Sequence, residues 1–125
     1  MELRQTVLVL YTVEHMPSRE YLGEFEQIVL LAVLRLGRGA YGVPIRHEIE
    51  FRTNRAVSVG ALYSTLDRLE AKGYVASRFA DPTAERGGRS KRFFRVEPLG
   101  IKAVKRSQQA LAVMLEGLDL KKASL

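Results

Sequence analysis

Three observations predict a mainly α-helical chain with a small β-hairpin. Four segments carry apolar residues at helical spacing, each bounded by its own start or stop signal. Two short stretches, Tyr74 to Phe79 and Lys91 to Val96, alternate loosely in the manner of half-buried strands. Between them, Asp81-Pro82 and Gly87-Gly88 mark a polar, turn-rich connection. At 125 residues the chain has room for one hydrophobic core and not for two independent ones.

Residues 1–17 read as an N-terminal extension. Leu3, Val7, Leu8, Leu10 and Tyr11 fit a short amphipathic helix or a strand from Thr6 to Val13, and Met16-Pro17 breaks either pattern. Met16 can itself serve as a native start, which would make the first fifteen residues an upstream addition. The first clear helix runs from Ser18 or Gly23 to Arg38. Phe25, Ile28, Val29, Ala32 and Leu36 follow its period, while Leu30, Leu31, Val33 and Leu34 fill most of its other faces. A helix apolar nearly all round is covered on more than one side, and in so small a domain the second cover is expected from another subunit.

Gly37-Arg38-Gly39 ends that helix, and a shorter one follows from Val43 to about Arg52, with Pro44 tolerated in its first turn and Ile45 and Ile49 facing inward. The next helix has the sharpest boundaries. Ser58 is placed to cap its first turn, Val57 and Leu62 to staple it, and Gly73 to end it in a left-handed conformation. Leu62, Leu66 and Leu69 form its buried stripe. Its opposite face is small at the start, where Gly60 and Ala61 replace the glutamate that would complete a capping box. Gly60 costs roughly 1 kcal/mol against alanine. A close approach by another backbone, at a helix end whose dipole and free N–H groups favour phosphate, would offset that cost.

Two short helices joined by a few residues form a helix-turn-helix, and the hairpin after them completes a winged helix-turn-helix over residues 18–97. Pro98 opens a last helix to about Leu118. Ile101, Val104, Gln108, Leu111, Leu115 and Leu118 are spaced 3, 4, 3, 4, 3, a coiled-coil seam. Residues 98–125 therefore read as a dimerisation helix with a short tail, packed on its mate and on Phe25 and Ile28 of the first helix; Gln108 in the seam would help fix register. An amphipathic helix folded back on its own domain is the alternative.

Charge is concentrated. Between Arg78 and Arg106 nine basic residues face three acidic ones, which accounts for the whole net charge of +6. An excess held in one segment beside a small-faced helix points to a polyanionic partner. The absence of cysteine excludes disulfides, thiolate metal sites and cysteine nucleophiles, and fits a reducing, cytoplasmic location. The longest apolar run, Ile28 to Leu34, is too short to span a bilayer. His47 stands in His-Glu-Ile-Glu, without a second ligand one turn away, so neither a metal, a cofactor nor an enzymatic activity is expected.

From Leu22 to Leu118 the chain resembles the PadR family of bacterial transcriptional regulators. The resemblance is carried by Leu22-Gly23-Glu24-Phe25-Glu26, Ala40-Tyr41-Gly42, the run Val59 to Gly73, the run Gly87 to Val96, and Pro98-Leu99-Gly100. Many members have proline where this chain has Ser64. Long members carry a larger helical C-terminal region, so this is the short type, and it has no tryptophan to stack on a ligand. The resemblance implies a homodimeric regulator, in the repressor sense, that binds a pseudo-palindromic operator in double-stranded DNA and is released by a small-molecule effector.

On that basis Gly60 and Ala61 allow close approach to the major groove, and Ser64, Thr65 and Arg68 reach base edges or phosphates, Arg68 being the candidate for guanine. Tyr41, Ser58 and Tyr63 position the helix on phosphates. Arg86, Arg89, Ser90, Lys91 and Arg92 of the wing lie along the backbone or the adjacent minor groove. Arg68 could instead pair with Asp67, Glu70 or Glu26, and Tyr63 could be a half-buried core residue. An RNA-binding or protein-interaction module on the same fold is the alternative function.

Overall fold

The computed structural model describes residues 21–80 and 90–123. Helix α1 (Glu24–Leu36) starts where the Glu26 carboxylate accepts the Gly23 N–H at 2.9 Å, half of a capping box. It ends at Gly37, whose φ of 58° turns the chain into a short 3-10 helix, Gly37–Gly39. Helix α2 (Gly42–Thr53) stops at Asn54 in the left-handed region. Its Glu50 carboxylate accepts the Val57 N–H at 2.9 Å and so fixes the turn into helix α3 (Val59–Ala71). Ser58 caps α3 as its sequence predicts, accepting the Ala61 N–H at 3.0 Å, and Gly73 leaves it at φ 81°.

Strands β1 (Val75–Phe79) and β2 (Arg92–Val96) pair antiparallel, with Val75 opposite Val96 and Phe79 opposite Arg92. The segment before α2 adds a third piece of sheet: Tyr41 bridges Phe93, and the Phe94 N–H donates to the Ala40 carbonyl at 2.8 Å. Helix α4 (Pro98–Leu115) crosses back over α1, and the buried Ser107 hydroxyl accepts the Leu22 N–H at 3.1 Å. The single core joins Val29, Leu30 and Val33 of α1, Ile45 and Ile49 of α2, Leu62, Leu66 and Leu69 of α3, Val75 and Phe94 of the hairpin, and Ala103 and Val104 of α4. The architecture is a mainly helical winged helix-turn-helix, as the periodicities predict. No helix among the described residues is long and apolar enough to cross a membrane.

The expected coiled-coil seam divides in two. Phe25, Ile28 and Ile101 are half-buried in the chain's own domain, and Val104 is only 8% exposed in its core. Gln108 donates to Gln27 of α1 at 3.1 Å, so its amide already has a partner in the same chain. Beyond it Leu111 and Leu115 are exposed. Leu118 lies past the end of α4, which stops at Leu115 ahead of Gly117 at φ 79°, three residues sooner than its sequence predicts. The N-terminal half of α4 therefore does the work assigned to the alternative, covering its own domain, and only the C-terminal half keeps a free apolar face.

Candidate nucleic-acid interface

The leucine stripe of α3 is buried, which fixes what its other side presents. Ser58, Val59, Gly60, Ala61, Ser64, Asp67 and Arg68 are exposed. A Cβ added at Gly60 meets nothing within 4 Å, so the chain's own packing does not call for glycine there. The N–H groups of Val59 and Gly60, which have no intrahelical acceptor in a first turn, stand at this open surface. The result is a bare helix tip, with the positive end of its dipole outward.

Thr65 does not belong to that face. It is 3% exposed, because three residues after Leu62 and four before Leu69 it falls on the buried arc, about 40° from Leu69 at 3.6 residues per turn. The leucine spacing carried that signal. Tyr63 is half-buried against the core, and its hydroxyl lies where a side chain on Gly42 would begin, so it takes the packing role.

Arg92 also changes role. Its Nη2 donates to Glu70 at 2.5 Å, Nη1 to Asp67 at 3.2 Å and Nε to the Ser77 hydroxyl at 3.2 Å, while Ser77 donates to the other Glu70 oxygen at 2.8 Å. The guanidinium also lies 4.8 Å from the centre of the Phe94 ring. Committed to two carboxylates, Arg92 braces the wing against α3 instead of offering its charge outward. The Ser77 hydroxyl, and then Arg92, hold the Glu70 carboxyl below its ordinary pKa against the opposing effect of burial.

Arg68 has the partner that its sequence allowed as the alternative. Its Nε pairs with Glu26 of α1 at 3.6 Å, and Lys72 pairs with the same oxygen at 3.6 Å. Ser90 and Lys91, at the base of the wing, are exposed, with the Lys91 ammonium 4.6 Å from the centre of the Tyr41 ring. Tyr41 in turn packs edge-on to Phe93 at 5.2 Å. Arg86 and Arg89 lie outside the described residues. Beside the end of α1, a groove of about 500 Å³ is lined by Arg38, Arg78 and Arg95 together with Val33, Leu34, Phe93 and Val96, and Arg95 is itself paired with Glu97 at 2.7 Å. Among the described residues no three His, Cys, Asp or Glu side chains are grouped to hold a metal ion. The pairing of Arg68 with Glu26 is among those the sequence allows, whereas that of Arg92 with Asp67 and Glu70 was not legible, because those residues lie 25 and 22 positions apart and only the fold joins them.

The family model described as the transcriptional regulator PadR-like family matches residues 30–106. Among solved structures, a transcriptional regulator from Clostridium thermocellum is 26% identical, with a TM-score of 0.61 over 71% of this chain and 81% of that one. The complex structure of hsRosR-S1 is 25% identical, with a TM-score of 0.59 over 81% of this chain and 82% of that one. A PadR-like transcription factor from Bacteroides fragilis, at 17% identity and a TM-score of 0.60 over 74% and 84%, shares the fold. No protein of curated function matches the sequence.

Proposed function

Because this chain belongs to the PadR-like family of transcriptional regulators, we propose that it acts as a homodimer on a pseudo-palindromic operator in duplex DNA. The first turn of α3 enters the major groove. Gly60 and Ala61 permit contact, Ser58 and the free N–H groups meet phosphate, and Ser64 and Arg68 reach base edges. Tyr41, Ser90 and Lys91, with Arg86 and Arg89 beyond the described residues, follow the sugar-phosphate backbone. The observation that carries this reading is the open space at Gly60: a glycine that costs helix stability and meets no atom of its own chain is accounted for by an incoming surface.

We assign the dimer contact to Leu111 and Leu115 of α4, exposed apolar side chains that a second copy would cover. In the family's manner the regulator is a repressor, and an effector acts by favouring a dimer whose two α3 tips no longer match major grooves about 34 Å apart. Residues 1–17, 18–97 and 98–125 then serve as extension, DNA-binding domain, and dimerisation helix with tail. Its place is the cytoplasm, with no enzymatic activity of its own.

Selection of bound duplexes from a random pool tests this. A two-fold symmetric motif is expected, held against competing hairpin RNA, with log K falling against log salt at a slope of roughly −7 for about eight phosphates neutralised per dimer. Recovery of no motif, or a slope near zero, contradicts it.

A further inference from the structure

We propose that Glu26, on α1 and outside the DNA-facing surface, is a positioning residue that sets the specificity of the Arg68 contact; this rests on Arg68 reading a base, as proposed above. The Glu26 side chain is only 12% exposed, and both its oxygens are committed. Oε1 accepts the Gly23 N–H at 2.9 Å, which locks the carboxylate to the start of α1. Oε2 is thereby fixed towards α3, where it meets Arg68 Nε and Lys72 Nζ, each at 3.6 Å.

The consequence lies in which guanidinium edge is taken. Glu26 engages the Nε side, so the Nη fork points back along α3, where Nη1 and Nη2 donate to the hydroxyls of Ser64 and Thr65 at 3.4 Å each. Those are long, weak bonds that a better acceptor displaces. A guanidinium held beside Glu26 as an ion pair, its fork resting on two weak hydroxyl contacts within α3, loses less rotamer freedom on meeting two acceptors of one guanine than a free side chain does. Lys72, held by the same carboxylate, is drawn back from the exposed face and left half-buried. Glu26 thus presents the planar cation and withdraws the point charge, which favours base recognition over unspecific phosphate contact.

Electrostatics alone predicts the opposite sign, which makes the test sharp. Glu26→Gln keeps an oxygen for the Gly23 N–H and removes one negative charge per chain. If Glu26 merely repelled DNA, binding to every duplex would tighten together. As a positioning residue, its loss weakens binding to the selected duplex by about tenfold, the scale of one well-aligned guanine contact. Affinity for a scrambled duplex is then unchanged or higher. The experiment measures both affinities for wild type, Glu26→Gln and Arg68→Ala, with a thermal melt of each. Glu26→Asp, which keeps the charge but withdraws the carboxylate by one methylene, is expected to show the same selective loss and replaces Glu26→Gln if that chain does not fold. A parallel gain or a parallel loss on both duplexes overturns the inference. An unchanged ratio of the two affinities for Arg68→Ala overturns it together with the role of Arg68, whereas a ratio lowered by Arg68→Ala but not by the Glu26 variants overturns the inference alone.

Discussion

The Tyr63 hydroxyl occupies the place where a side chain on Gly42 would begin. A Cβ built there stands 2.1 Å from the hydroxyl oxygen and 2.8 Å from the ring carbon that bears it. The two helices of the helix-turn-helix are thus spaced by one missing methyl group and one aromatic ring. Gly100 shows a related constraint with a less yielding neighbour, since its Cβ would lie 2.3 Å from the Tyr74 carbonyl oxygen.

Gly42→Ala is expected to destabilise the chain by about 1–3 kcal/mol, the usual cost of overpacking, and to move α3 relative to α2. Gly100→Ala is expected to cost at least as much, because backbone yields less readily than a side chain. Truncating Tyr63 to leucine in the Gly42→Ala chain should recover part of the loss. No truncation of a side chain should rescue Gly100→Ala. Urea unfolding of the variants measures both.

Arg92→Ala is expected to cost about 1–2 kcal/mol, by removing charge-assisted bonds to Asp67 and Glu70 and leaving Glu70 with Ser77 alone. The pH dependence has a definite sign. The folded Glu70 pKa lies below its unfolded value, so the linked stability is fully present above the ordinary carboxylate range and is lost as pH falls through the lower, folded value. Stability measured from neutral pH down into the carboxylate range should therefore fall less steeply in Arg92→Ala than in the wild type. Because Arg92 is a brace, its removal should weaken DNA binding only as far as it loosens the wing.

What the sequence made legible was whatever is decided within a few residues. Caps at Ser58 and Gly73, the leucine stripe, and the strand alternation are local, and each appears in the structure where its signal placed it. Thr65, expected on the outer face, falls on the buried arc by the same spacing that located Leu62 and Leu69. The brace was not: Arg92 and Asp67 lie 25 residues apart, and only the packing of the hairpin on α3 brings them together. The basic run around the wing reads as uniform charge, yet among its described residues Arg92 and Arg95 pair with carboxylates of their own chain while Lys91 remains exposed. The divided role of α4 was hidden for the same reason, since its 3-4 spacing is common to a helix that covers its own core and one that awaits a partner.

Leu111→Glu and Leu115→Glu are expected to yield monomers with little loss of protomer stability, since both side chains are exposed in the isolated chain. Light scattering across a dilution series measures the first, and thermal melting at low concentration the second. Val104→Glu should instead unfold the domain, because Val104 belongs to the core.

Gly60→Ala separates stability from binding. The added methyl meets no atom of the chain and improves helix propensity, so stability should rise, by at most about 1 kcal/mol. Affinity for the selected duplex should fall, because the same methyl lies on the surface proposed to approach DNA. Bulkier residues at position 60 should lower it further, in order of size.

The most direct measurement follows the backbone amides of the labelled protein by NMR as the selected duplex is titrated in. The largest shifts are expected at Val59, Gly60, Ala61 and Ser64, with a second group at Ser90 and Lys91 and little change at Leu111 or Leu115. Shifts confined to α4, with the amides of Val59 and Gly60 unmoved at saturation, would contradict the placement of the α3 tip in the groove.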